Sequence, residues 1–121
     1  MCIRDSAKTT RLLRNSLGWT EEHLMLTFQS RFGRAEWLKP YTAETIVRLA
    51  KSGVKRLAVI TPGFSADCIE TLEEMGIQGA ELFHEHGGEK FAALPCLNDS
   101  AESVEALASI IKRELSGWVS Y

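Results

Sequence analysis

The sequence predicts an α/β fold: a parallel sheet with helices on both faces, present as a partial domain. Three observations carry this. Short apolar runs of strand length alternate with segments of helical periodicity, the order that builds a covered parallel sheet. Only three such runs occur, LMLTFQS (24–30), KRLAVITPG (55–63) and KFAALP (90–95), which is thin for a whole domain of this type. The chain has 121 residues, one domain's length and enough to bury a real core.

Each element has a local reason. In AKTTRLLRNSL (7–17), Leu12, Leu13 and Leu17 lie on one helical stripe, and Gly18 is a stop. LMLTFQS carries the apolar and aromatic residues of a buried strand. RFGRAEWLKP (31–40) reads as a loop punctuated by Gly33 and Pro40. In TAETIVRLAKSG (42–53), Thr42 is placed to cap a helix, Ile46, Leu49 and Ala50 share a face, and Gly53 ends it. KRLAVITPG is the clearest strand, with four successive apolar residues before Pro62 and Gly63. SADCIETLEEMG (65–76) reads as a helix stopped by Gly76, and IQGAELFHEHGG (77–88) as a further helix ending at Gly87 and Gly88. After KFAALP and the loop CLND (96–99), Ser100 caps a last helix, whose stripe of Val104, Leu107, Ile110, Ile111 and Leu115 is expected to be buried.

The opening residues, MCIRDS (1–6), match the translation of a transposon-end adapter used in DNA library preparation. They are read as a scar to be left out of fold reasoning. Residues 7–121 then form the native part, expected to continue a chain that begins upstream.

Composition removes several function classes. The chain is 45% hydrophobic and 25% charged with net charge −2, ordinary for a soluble globular protein. It has no basic face for nucleic acid and no polybasic run for a lipid surface. Cys2, Cys68 and Cys96 lie far apart with no metal-binding spacing, which suits a reduced, intracellular protein. No apolar run reaches membrane-span length, and no phosphate-binding glycine loop or serine nucleophile elbow is present.

In open α/β sheets, ligands sit beyond the carboxyl ends of the strands. Three loops are placed there: RFGRAEW, PGFSAD and CLNDS. Asp67 and Glu70 follow the best strand at i and i+3, so they face one way on a helix. They read either as a helix cap, with Ser65 or Asp67 as the cap and Glu70 reaching back, or as chemistry. Glu74, four residues beyond Glu70, extends the row, and such a row can pass a divalent cation as readily as it can face solvent. Trp37 stands outside any periodic pattern and serves either as an anchor or as a flat wall for a planar ligand. His84 and His86, at i and i+2, diverge on a helix and read as solvent-facing.

Taken in order, LTFQSRFGRAEWLKPYT, VKRLAVITPGFSADCIETLEEMG and GGEKFAALPCLNDSAESVEALASII resemble the carboxyl-terminal part of the ferrochelatases, in a bacterial form. The resemblance covers about Lys8 to Trp118, and GFSADxxETLxE is its sharpest element. It implies a fold of two Rossmann-like domains with a porphyrin cleft between them, of which this chain holds part of the second. It implies insertion of Fe²⁺ into protoporphyrin IX to give protoheme, with both molecules as substrates. The catalytic glutamate falls on Glu70 and its neighbouring aspartate on Asp67. The metal-path carboxylates fall on Glu70 and Glu74, and the porphyrin-pocket residues on Trp37, Gln29 and Ser30.

Three departures qualify the match. The family's S-F-H-G-x-P histidine has no counterpart here, so the chain alone is expected to be inactive. Cys68 stands where histidine is often found. Gln78 interrupts the acidic row one turn after Glu74. No cofactor is expected, since the cysteines that hold an iron–sulfur cluster in some members are absent. The expected setting is the bacterial cytoplasm, with peripheral membrane association compatible with it and no nucleic-acid partner. The rival readings are a non-catalytic tetrapyrrole- or metal-binding module and a related cobaltochelatase.

Overall fold

The structure, a computed structural model, describes residues 3–30, 36 and 38–118. Helix α1 (Ile3–Leu17) is followed by α2 (Thr42–Lys51), strand β1 (Arg56–Val59), a π-helical segment (Glu70–Gln78) that runs directly into α3 (Gly79–Glu85), strand β2 (Lys90–Ala93) and helix α4 (Ala101–Glu114). β1 and β2 pair in parallel, Arg56 with Lys90 through Val59 with Ala93. The expected α/β character and the parallel pairing of the two later strands therefore hold.

The core lies on one side of this sheet. Ile46 and Ala50 of α2 and Phe83 of α3 form its centre, and Val54, Leu57, Leu82 and Phe91 pack against them. Leu57 and Phe91 are register partners, so their side chains leave the same face. Phe83 has no solvent exposure, and its ring centroid lies 5.9 Å from that of Phe91 in a tilted arrangement. A Cβ built on Gly88 would stand 2.2 Å from the Phe83 ring, so the close approach requires glycine there. The opposite face, bearing Ala58 and Ala92, is exposed.

Helix α2 ends as its sequence indicates. Gly53 has φ +93°, its N–H donates to the Ala50 carbonyl, and the Val54 N–H donates to Leu49 at 3.1 Å, a Schellman motif. Its start differs from expectation. Tyr41, not Thr42, is the N-cap, and no side chain caps the helix. The Thr42 N–H instead donates to the Phe28 carbonyl at 3.0 Å, while the Phe28 N–H donates to Pro40 at 2.9 Å. A segment brought in from residues 24–30 thus satisfies the helix end.

Three expectations are corrected. LMLTFQS contributes one isolated parallel bridge, Phe28 to Tyr41, rather than a strand; among the described residues the sheet has two strands. Gly76 does not stop a helix: the backbone continues through it to Glu85. Gly79 explains this, being buried where a Cβ would stand 3.2 Å from the Phe91 ring, with its N–H donating to Glu74 five residues back. Packing there outweighs the local preference of Gly76. Finally, the α4 stripe is not buried. Val104, Leu107, Ile110 and Ile111 are each about half exposed (56, 53, 48 and 54%). The stripe's amphipathic pattern is real, but no described element lies over it. Leu12 and Leu17 of α1 are likewise exposed. Helix α1 starts at Ile3, inside the MCIRDS stretch.

Phe83→Ala is expected to destabilise the fold by about 3–5 kcal/mol, the cost of emptying a fully buried aromatic site. Urea denaturation checks this, and a loss below about 1 kcal/mol would show that the core is centred elsewhere.

Candidate functional site

The loops after β1 and β2 leave the same end of the sheet and meet. The hinge of that meeting is Asp67. Its Oδ2 accepts from the Asn98 side-chain amide at 2.7 Å, and its Oδ1 accepts from the Cys96 N–H at 3.1 Å and the Thr71 hydroxyl at 3.0 Å. Its own N–H donates to Asn98 Oδ1 at 2.8 Å. Asn98 returns further bonds, from its amide to the Cys96 carbonyl and from its backbone N–H to Ser65. Asn98 adopts φ +51°, a left-handed conformation that asparagine tolerates better than most residues.

These contacts answer the question of the cap. The Asp67 oxygens face the second loop and Thr71, not the free N–H groups of the helix. The capping contact comes from Thr71, which is buried and whose hydroxyl accepts from the Cys68 N–H at 3.0 Å. With this set of donors the Asp67 carboxyl is lowered from 3.8 to about 2, chiefly by the Asn98 amide and then by the Cys96 N–H. Asp67 is therefore a fixed anion near neutral pH and a weak proton acceptor.

Glu70 opens the π-helical segment. Its carboxyl is also lowered, first by a hydrogen bond from the Cys68 thiol and then by its own backbone N–H, against a desolvation cost. Cys68, in the position where the resemblance often has histidine, thus supplies a weak donor to Glu70. Glu74 is half-buried. Its Oε1 accepts from the Ser30 N–H at 2.8 Å and its Oε2 from the Ser30 hydroxyl at 2.6 Å. Ser30 has φ +57°, a left-handed backbone that aims both donors at one carboxylate. Gln29 donates from its side chain to the Glu70 carbonyl at 3.2 Å.

The structure therefore brings Gln29, Ser30, Glu70 and Glu74 together at the carboxyl end of the sheet, with Asp67 at the adjoining loop. Trp37 lies outside the described residues. Among the described residues no group of three or more His, Cys, Asp or Glu side chains is arranged to enclose a metal ion. That leaves an open row rather than a cage. Gln78, the break in the row, donates to Glu73 at 3.3 Å. His84 is exposed, and the His86 ring lies 2.9 Å from the Leu82 carbonyl. Two residues escaped the sequence reading: Thr71, hidden within the helical pattern, and Asn98. The signal for Asn98 was present, since an Asn–Asp pair at a strand's carboxyl end marks a left-handed turn residue.

Fold and site together define a class, a partial α/β domain with hydrogen-bonded carboxylates at the end of its parallel strands. The comparisons make this specific. A model of the ferrochelatase family matches residues 3–115. The chain is 62% identical over 112 residues to the ferrochelatase of Rhizobium meliloti (strain 1021), covering 93% of this chain and 33% of that protein. It is 60% identical over the same shares to the ferrochelatase of Allorhizobium ampelinum and 56% identical to that of Agrobacterium fabrum. The chain belongs to the ferrochelatase family, and it spans about a third of the length of these relatives. No helix among the described residues is long and apolar enough to cross a membrane.

Because the folded Asp67 carboxyl is depressed, its contribution to stability is complete above its ordinary value of 3.8 and is lost as the pH falls towards about 2. Carboxyl ¹³C titration is expected to place the Asp67 midpoint at about 2. A midpoint near 4 would show that the Asn98 contact does not hold in solution.

Proposed function

We propose that this chain is the part of a ferrochelatase that carries one wall of the metallation cleft, and that the whole enzyme inserts Fe²⁺ into protoporphyrin IX to form protoheme. The observation that carries the reading is the convergence of Gln29, Ser30, Glu70 and Glu74 at the strand ends, within a chain of this family. The remainder of the protein, upstream of this segment, supplies the opposite wall and the histidine this chain lacks. The expected setting is the bacterial cytoplasm.

Metallation exchanges two pyrrole N–H protons for one divalent ion. Protons must leave as the ion loses its water. Glu70 is the proposed acceptor of one of the two protons, being half-buried at the start of the acidic helix beside Gln29; the other leaves to the histidine proposed for the remainder of the enzyme. Glu74 is the proposed relay for the ion. Ser30 occupies one lone pair on each of its oxygens, and a carboxylate oxygen has a second to offer. Fe²⁺ accepts oxygen ligands without demanding an enclosed site. Asp67 contributes a fixed negative charge beside the row and takes no proton. Trp37 is the proposed flat wall that holds the macrocycle, so that contacts around the ring support its distortion at the centre. A non-catalytic tetrapyrrole-binding module would need none of this ordering of carboxylates.

In the full-length enzyme, Glu70→Gln is expected to cut the metallation rate by about 10²–10⁴-fold, the usual weight of a positioned base, with porphyrin binding retained. Stopped-flow porphyrin absorbance measures both, and a wild-type rate would sink the assignment. The purified 121-residue chain is expected to form no measurable protoheme. Turnover by it alone would show that the site is complete without an upstream histidine.

A further inference from the structure

We propose that Asn98 is a positioning residue for metallation: its side-chain amide clamps Asp67 and, through Thr71, sets where the helix carrying Glu70 and Glu74 begins. This rests on the site reading given above. The geometry is reciprocal. The Asp67 N–H donates to Asn98 Oδ1 at 2.8 Å while the Asn98 amide donates to Asp67 Oδ2 at 2.7 Å. The other Asp67 oxygen holds the Thr71 hydroxyl, and that hydroxyl accepts the Cys68 N–H. Two loops 31 residues apart are thereby joined to the first turn of the acidic helix.

Asparagine alone meets both demands of the position. The backbone is left-handed at φ +51°, which favours Gly, Asn and Asp. The side chain must also donate to one carboxylate oxygen and accept from one N–H. Glycine keeps the backbone and loses both bonds. Aspartate keeps the shape but offers acceptors only, and sets a second carboxylate against Asp67. A loosened clamp would let the first helical turn drift, and small displacements of a proton acceptor are costly in rate.

The test places this chain in the matched segment of full-length Rhizobium meliloti ferrochelatase and compares Asn98→Gly and Asn98→Asp with the parent graft. Amide exchange at Asp67 reads the clamp, and steady-state metallation reads kcat and KM. The expected result is faster exchange at Asp67, a kcat lower by about tenfold or more, and a porphyrin KM within about twofold. If Asn98→Gly fails to fold, Asn98→Asp, of the same shape, is read in its place. The double swap Asp67→Asn with Asn98→Asp, which restores two bonds between the positions with both now donated from position 67, is expected to regain amide protection. Unchanged exchange in Asn98→Gly overturns the clamp. Faster exchange with unchanged kcat overturns its role in metallation. A Glu70→Gln graft at the parent rate overturns the site reading itself, whatever the exchange shows of the clamp.

Discussion

A two-stranded parallel sheet of four residues per strand is a small frame on which to hold a reactive surface. The strands stop at Val59 and Ala93, with one further bond from Leu94 to Val59, and beyond that point the ladder no longer holds the chain together. The Asp67–Asn98 pair takes over there. It replaces the missing ladder with side-chain bonds between the two departing loops, and through Thr71 it reaches the first turn of the acidic helix. The charge-assisted character of the bonds suits the task, because they are made to an ionised carboxylate.

The three carboxylates Asp67, Glu70 and Glu74 differ in what holds them. Asp67 is engaged through both oxygens by three donors. Glu74 is engaged by the two donors of a single left-handed serine. The Glu70 carboxyl is lowered chiefly by the Cys68 thiol. Local hydrogen bonding, not burial, makes the difference. The π-helical geometry belongs to the same arrangement. Its wider turn runs across Gly76 because Gly79 is pressed against Phe91 and Phe83 fills the core beyond it, and π-helical turns recur where function overrides regular packing.

The apolar stripes of α1 and α4 and the face at Ala58 and Ala92 are exposed among the described residues, and the chain spans about a third of the length of its relatives. An amphipathic helix records in its own residues that something covers it. It does not record what, and here the covering layer is not among the described elements.

By itself the sequence determined the α/β class, the two paired strands, helix α2 with its glycine stop, and the Ser100 cap, which receives the Ser103 N–H at 3.2 Å. These are local matters of periodicity, capping and spacing, carried by neighbours within a turn or two. Tertiary structure decided the rest. Whether LMLTFQS becomes a strand depends on a partner edge, and it finds only Tyr41. Whether Gly76 ends a helix depends on what Gly79 packs against. Whether Asp67 caps a helix or joins two loops depends on Asn98, which only the parallel pairing of β1 and β2 brings beside it. Contacts between residues distant in the chain are invisible to periodicity, since no local pattern says which loops will emerge side by side.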